Sequence, residues 1–379
     1  MSISPAGLAA VARVFERNFH EQKELGASVC IYWRGQQVLS LAAGFADREK
    51  TQAWTEETLA PVYSATKAAA AATLLHVLEM QGMSEKNLVR EVWPAFPIAA
   101  ASFAHLLSHQ CGLAALDQGS SVWDHASVIA AIEAQVPAWL PGDGRHGYHP
   151  RTFGFLVDEC VRRMAGKPLG EVWAQQIAGP MGWDFWIGLP ESEWSRVASL
   201  VPGRAEKGDT EQGFYKEFMT AGTMTRRAFL SPSGLHAVQE MNDSKAWAAG
   251  FPAMGGLASA KGLAEFYQAA IGAIESPLSP AVQRVLRELQ VQGPDLVLLQ
   301  QTAFTCGCQK DPVDAAGKKM RQLYGPHLSA FGHPGAGGCH AFGDPDEGIS
   351  FAYVMNQMAL SVMPSARSTA MVEALYRDV

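Results

Sequence analysis

Segments with strand character lie near both ends of this chain, while its middle is almost entirely helical, so a fold must bring the two ends together. The opening stretch MSISPAGLAAVARVFERNFHEQKE has the spacing of an amphipathic helix. ASVCIYWRGQQVLSLAAGFAD then gives two β-rich runs around Arg34-Gly35, which predicts a hairpin. Near the other end, FGHPGAGGCHAFGDPDEGISFAYVMNQM reads as short strands broken by Gly and Asp-Pro turns, and SARSTAMVEALYRDV as a terminal helix. Between them, ASFAHLLSHQCGL, DHASVIAAIEAQV and PRTFGFLVDECVRRMAGK carry helical spacing separated by Gly or Pro. A helical lobe inserted between two halves of a sheet lobe accounts for this order. No fixed-period repeat or low-complexity linker marks a second domain. The stretch from Gly203 to Gly234 mixes charges with Phe214, Tyr215, Phe218, Met219, Met224 and Phe229, and reads as an irregular flap.

At 379 residues, 48% hydrophobic and 18% charged, the chain buries a large core and is not disordered. A formal net charge of -7 leaves no basic surface to collect phosphate backbone, which argues against nucleic acid as a partner. No apolar run approaches a membrane span, and the N-terminus lacks a basic head before a long apolar stretch, so the expected location is cytoplasmic. Six scattered cysteines (Cys30, Cys111, Cys160, Cys306, Cys308 and Cys339) are expected to be free thiols; Cys306-Gly307-Cys308 lacks a second pair for zinc.

Three elements carry chemistry. Ser64-Ala-Thr-Lys67 stands immediately before Ala68 to Met80, an Ala- and Leu-rich helix, and an i, i+3 spacing puts the Lys67 amine one turn from the Ser64 hydroxyl. The helix N-terminus adds free amides and the positive dipole end, which favour an oxyanion. Such a tetrad arises by chance roughly once in a chain like this, so its context matters. Tyr148 lies 84 residues beyond Ser64 in Gly147-Tyr-His-Pro150, at the turn entering a helix from Thr152 to Met164. A Lys67 ammonium nearby would favour the phenolate and make Tyr148 a base. Finally, Phe331-Gly-His333-Pro334-Gly335-Ala336-Gly-Gly338 is dense in glycine, and the Ala336 amide could join that of Ser64 in an oxyanion hole. Each element alone has an ordinary structural reading: a helix cap, a packed Tyr, a tight turn.

Other patterns are weaker. Gly142-Asp-Gly144-Arg-His-Gly147 has the G-x-G-x-x-G form but no strand before it. No G-x-S-x-G or H-E-x-x-H occurs. The histidines, including His105, His109, His146, His149 and His340, are not at metal spacings and are read as surface or hydrogen-bonded structural residues. Trp173, Trp183, Trp186 and Trp194 are read as packed core in preference to an acyl-pocket wall.

The order and wide spacing of Ser64 and Lys67, then Tyr148, then His333-Pro334-Gly335 resemble the serine β-lactamase and penicillin-binding group, in particular its carboxylesterase branch, often called family VIII. VWPAF, LLSHQCGL, VRRMAGKPLGEVW, PMGW and YVMNQM extend the likeness over most of the chain. The resemblance implies an α/β fold of the α+β type: an antiparallel sheet flanked by helices, plus a mostly helical lobe. It would be a single domain, with a sheet lobe from about 1–75 and 250–379 and a helical lobe from about 76–249. The site would lie at their junction.

The resemblance also implies catalysis by Ser64, Lys67 and Tyr148 through an acyl-enzyme on Ser64, an oxyanion hole from the Ser64 and Ala336 amides, and substrate contacts from His333, Pro334 and Gly335. No metal or organic cofactor is required. Relatives acting on penicillins commonly carry Lys and Ser or Thr in the third motif to hold a substrate carboxylate. Here a mostly neutral imidazole and a proline stand there, and Pro150 stands where an Asn is usual; both changes point to a small-molecule ester as substrate. A β-lactamase or D-amino peptidase, an acyltransferase, and a non-catalytic scaffold of the same fold remain the alternatives. Oligomeric state is not legible.

Overall fold

The structure is a computed structural model describing residues 4–204 and 212–377. Helix α1 (Pro5–Glu21) is capped by the Ser4 hydroxyl, which accepts from the Gly7 amide, and Pro5 occupies a first-turn position where an amide would go unpaired. Strands β1 (Gly26–Trp33) and β2 (Gln36–Gly44) form the expected antiparallel hairpin. Its turn puts Arg34 at φ 49° and Gly35 at φ 82°, the left-handed pair whose twist matches paired strands.

β1 runs antiparallel to Ile349–Met355, with Ala27 opposite Met355 and Trp33 opposite Ile349. Both chain ends therefore share one eight-stranded sheet, in the order β2, β1, Ile349–Met355, His340–Asp344, Phe331–Pro334, Gln309–Lys310, Gln301–Phe304, Val291–Pro294. Every neighbouring pair is antiparallel. Helices cover both faces. Ser350 and Tyr353 are three residues apart in one strand and so project oppositely. The Ser350 hydroxyl donates to the Ala264 carbonyl in helix Ala260–Ala270. Tyr353 donates to Glu24, which pairs at 2.7 Å with Arg367 of the C-terminal helix Ala366–Leu375. That helix packs on α1. Cover on both sides is why β1 reads as an unbroken apolar run instead of alternating.

Helix α2 (Thr66–Met80) is buried from Thr66 through Leu75, touching helix Thr152–Ala165, helix Pro280–Arg287 and strand Phe331–Pro334. Its alanines permit that crowding. A Cβ on Gly307, at φ +89°, would lie 2.0 Å from the Ala71 Cβ, so Cys306-Gly307-Cys308 is a turn pressed onto α2. All six cysteines are free and buried.

The Gly203–Gly234 stretch is more regular than its composition indicates. Helices Gln212–Met219 and Met224–Leu230 place Phe214, Phe218 and Phe229 in one aromatic cluster, an i, i+4 pattern that the interleaved charges hide. Residues 205–211 of that stretch lie outside the described residues. Trp173 and Trp183 are buried against Phe266, while Trp194 packs on Trp247. No helix among the described residues is long and apolar enough to cross a membrane.

The Glu24–Arg367 pair ties the first strand to the last helix inside the core. Burial pushes the Glu24 carboxyl above its ordinary range, with Arg367 pulling the other way. Removing one partner of such a pair costs about 3–5 kcal/mol, because the other charge stays buried alone. Arg367→Met should lower unfolding stability by about that much in urea at pH 7, and adding Glu24→Gln should regain most of it. A single-variant loss below about 1 kcal/mol would place the pair with exposed ion pairs instead.

Candidate active site

Ser64 sits on a tight turn at the foot of α2. The preceding Tyr63 is at φ 45°, a region that side-chain-bearing residues rarely occupy. The turn is pinned from both sides: the Thr66 hydroxyl donates to the Tyr63 carbonyl at 2.5 Å and accepts from the Gly256 amide at 2.9 Å. The Lys67 amide donates to the Ser64 carbonyl at 3.0 Å, which begins the helix.

The Lys67 side chain is fully buried, and its Nζ has three polar neighbours: the Pro150 carbonyl at 2.9 Å, the Ala253 carbonyl at 2.8 Å and Ser64 Oγ at 3.2 Å. Carbonyl oxygens only accept, so two N–H bonds are committed to them. Burial first, and then the Arg151 guanidinium, push the amine well below the ordinary lysine range. A neutral amine has two N–H bonds and one lone pair. With both N–H bonds spent, the lone pair faces the Ser64 hydroxyl.

Tyr148 is buried, stacked on Phe304 at 6.1 Å and meeting the His109 ring edge-on at 4.9 Å. Lys67 Nζ lies 4.8 Å from its ring centroid, over the ring face. Burial pushes the phenol upward, and the Ser64 hydroxyl is near enough to offset this in part. The sequence-based expectation of an ammonium sustaining a phenolate therefore does not hold, because desolvation penalises both charges and favours amine plus phenol. Pro150 lies just before helix Thr152–Ala165, which starts two residues later, and contributes its carbonyl to Lys67.

The third motif meets the Ser64 turn by close approach of backbones. A Cβ on Gly335 would stand 2.1 Å from the Val62 carbonyl, two residues before Ser64. His333 is buried, its Nδ1 2.8 Å from the Pro334 carbonyl. A carbonyl accepts, so Nδ1 carries the proton and Nε2 is left as a buried acceptor without a protein partner. Burial holds the ring down to about 3, with Lys67 adding to the effect. It is neutral, as expected, and presents no N–H to a carboxylate.

Two site residues, Arg151 and Asp295, were not singled out in the sequence, while His109 and His149 are hydrogen-bonded structural residues as read there. Arg151, buried behind Lys67, donates to the Pro232, Gly234 and Leu235 carbonyls. Asp295 accepts the Tyr148 amide on both oxygens at 3.1 Å. His109 and His149 form a locked pair: the His149 amide donates to His109 Nδ1 at 3.2 Å, and His149 Nε2 accepts from the Leu113 amide at 3.0 Å. Beside Tyr148 an apolar wall gathers Phe214, Leu298 and Phe304 with the part-buried Phe218, Phe229 and Val362. A cavity of about 250 Å³ opens there between Phe214, Leu298, Gln300 and Met363.

The family model described as beta-lactamase matches residues 11–376. This chain belongs to the beta-lactamase family. It is 28% identical over 372 residues to the esterase/beta-lactamase LipL of Mycobacterium tuberculosis, covering 92% of this chain and 81% of that protein. Among solved structures it resembles a penicillin-binding protein homologue from Caulobacter crescentus (31% identity, TM-score 0.84) and a family VIII carboxylesterase (30% identity, TM-score 0.85). Each covers 100% of this chain and 99% of the other. Within this beta-lactamase-family site the fold brings together the serine–lysine, tyrosine and glycine-turn elements from three separate stretches of chain.

The buried rings make stability pH-dependent in a definite direction. His146 is held down to about 4, His149, His333 and His340 to about 3, and His109 well below the usual range, in each case chiefly by burial. Between those values and roughly 6.5 the unfolded chain binds more protons, so stability falls as pH drops, by roughly 1.4 kcal/mol per pH unit for each ring. Asp295, pushed up to about 6, acts oppositely, as do the raised carboxyls of Glu24 and Glu265, but these are fewer than the buried rings. Urea midpoints should decline gently from pH 8 to 7, where the lowered Lys67 amine leaves the unfolded chain binding the extra proton, and fall steeply between pH 6.5 and 5. A midpoint unchanged at pH 5 would mean that the rings are not buried in neutral form.

Proposed function

We propose that the protein is a serine carboxylesterase that cleaves small esters through an acyl-enzyme on Ser64. The observation that carries this reading is the Lys67 amine, whose two carbonyl partners leave a lone pair for the Ser64 hydroxyl. Ser64 Oγ attacks the ester carbonyl carbon as its proton moves to Lys67 Nζ. The carbonyl π pair shifts to oxygen and is met by the Ser64 and Ala336 amides. As the tetrahedral intermediate collapses, the C–O bond to the alcohol breaks and the Tyr148 phenol protonates the leaving oxygen, regaining a proton from Lys67. Water then repeats the sequence on the acyl-enzyme and releases the acid. The names of LipL and of the solved carboxylesterase support ester chemistry.

The nucleophile and its partners are tested first. A fluorophosphonate should label Ser64, located by mass spectrometry of the labelled peptide, and Lys67→Met and Tyr148→Phe should each lower kcat by at least about 10²-fold with the fold retained. A label on another serine, or near wild-type turnover in either variant, would remove that residue from the mechanism.

Substrate choice follows from His333 and Pro334, which give a carboxylate neither charge nor N–H. Losing a charge-assisted contact is worth about 1.5–3 kcal/mol, so kcat/KM for p-nitrophenyl acetate or butyrate should exceed that for a chromogenic cephalosporin by at least about 10²-fold. His333→Lys with Pro334→Thr should narrow the gap. Equal efficiencies on both substrates in the unmodified protein would instead favour β-lactam hydrolysis.

A further inference from the structure

The catalytic scheme above uses the Tyr148 side chain and says nothing of what holds it. Tyr148 does not lie within a helix or strand; it is the second residue of a turn between His146 and helix Thr152–Ala165. Its phenol lies near the Ser64 hydroxyl, but among the described residues no hydrogen bond of good geometry fixes it. Orientation must therefore come from ring packing and from the main chain.

The main-chain anchor is Asp295, on the loop joining strands Val291–Pro294 and Gln301–Phe304. Its carboxylate is buried and accepts from the Tyr148 amide on both oxygens at 3.1 Å, and from the Val297 and Leu298 amides on Oδ1 at 2.8 Å each. The Thr302 hydroxyl donates to Oδ2 at 3.3 Å, and His146 Nε2 lies 2.7 Å from that hydroxyl oxygen. A single carboxylate thus gathers three amides and a hydroxyl from two segments 147 residues apart. Among the described residues it makes no ion pair. Tyr148 faces it directly and His146 through Thr302; Lys67 and His109 lie beyond, on the Tyr148 ring, and Arg321 reaches only the Gln300 side chain of the same loop.

We propose that Asp295 is a positioning residue for Tyr148, whose carboxylate must be ionised to hold the phenol against Ser64. Four donors converge on two oxygens, and only the carboxylate offers acceptors to all of them. A proton on Oδ2 turns that oxygen into a donor; Thr302 can reverse to accept it, but the Tyr148 amide then loses one of its two acceptors and must share Oδ1 with the Val297 and Leu298 amides. Burial without a cation pushes the group up to about 6 despite its hydrogen bonds. Turnover is lost on the acid side as Asp295 takes up a proton.

This role rests on Tyr148 acting in ester cleavage, and the test separates the two. Kinetics on p-nitrophenyl butyrate from pH 5 to 9 compare wild type with Asp295→Asn, Asp295→Ala, Thr302→Val and Tyr148→Phe, with folding checked by circular dichroism. Asp295→Ala should lower kcat about 10²-fold and Asp295→Asn about 10-fold, each with KM within about twofold, since asparagine keeps one acceptor for the Tyr148 amide. Asp295→Asn should also lose the acid limb near pH 6, because its amide does not titrate. Protonation of Lys67 would lower turnover too, but that limb would survive in Asp295→Asn. Thr302→Val leaves the carboxylate and withdraws one bond to it, so its limb should move to higher pH by at least about 0.3 unit. An acid limb unmoved in Thr302→Val, or wild-type kcat in Asp295→Asn while Tyr148→Phe is inactive, overturns the positioning role alone. Wild-type turnover in Tyr148→Phe overturns the reading beneath it and this role with it.

Discussion

A buried amine with two carbonyl partners organises this molecule. Lys67 draws Pro150 from the helical lobe and Ala253 from the return toward the sheet onto one nitrogen, directly beside Ser64. The alanines of α2 make that convergence sterically feasible, since a bulkier helix would keep those segments apart. An ammonium at this depth would face a desolvation penalty of several kcal/mol that two carbonyl dipoles do not repay. The protein resolves the conflict by favouring the neutral form, which is also the form with a base's lone pair.

Neutrality extends outward from that nitrogen. The Tyr148 phenol is driven toward its protonated form, and His109, His149 and His333 are held uncharged in tautomers set by backbone groups. Arg151 is the exception, a buried guanidinium committed to three carbonyls and aligned to keep Lys67 deprotonated. A substrate carboxylate entering here would surrender its water for rings that cannot donate and a cation whose bonds are already made. A neutral ester surrenders much less. The burial that lowers the Lys67 amine thus also holds the His333 ring neutral beside it.

Much of this was legible in the sequence, and the remainder was hidden for identifiable reasons. Ser64, Lys67, Tyr148 and the glycine turn meet through side chains or glycines, which leave marks at recognisable spacing. The Arg34-Gly35 hairpin and the sharing of one sheet by both ends followed from strand character at the termini. The Lys67 partners left no mark, because a carbonyl belongs to every residue and nothing distinguishes Ala253 from other alanines. Asp295 stands in an ordinary-looking Gly-Pro-Asp turn, and its partner is an amide far away in the chain. The charge of Tyr148 was misjudged because proximity to a lysine implies an ammonium only when water is present to support it.

The arrangement also divides the site into two halves with different physical characters. On one side Ser64, Lys67 and Gly335 are fixed by backbone contacts against α2 and the sheet, where a single added Cβ at Gly335 would collide with the Val62 carbonyl. On the other, the wall of Phe214, Phe218, Phe229, Leu298 and Val362 is made of side chains from short helices and loops, several only partly buried. Side-chain packing tolerates exchange of size and shape at modest cost, whereas backbone-to-backbone approach does not. The two halves are therefore separable: the first is set by the crowding around α2, and the wall can vary while leaving the amine, hydroxyl and glycine turn where they are.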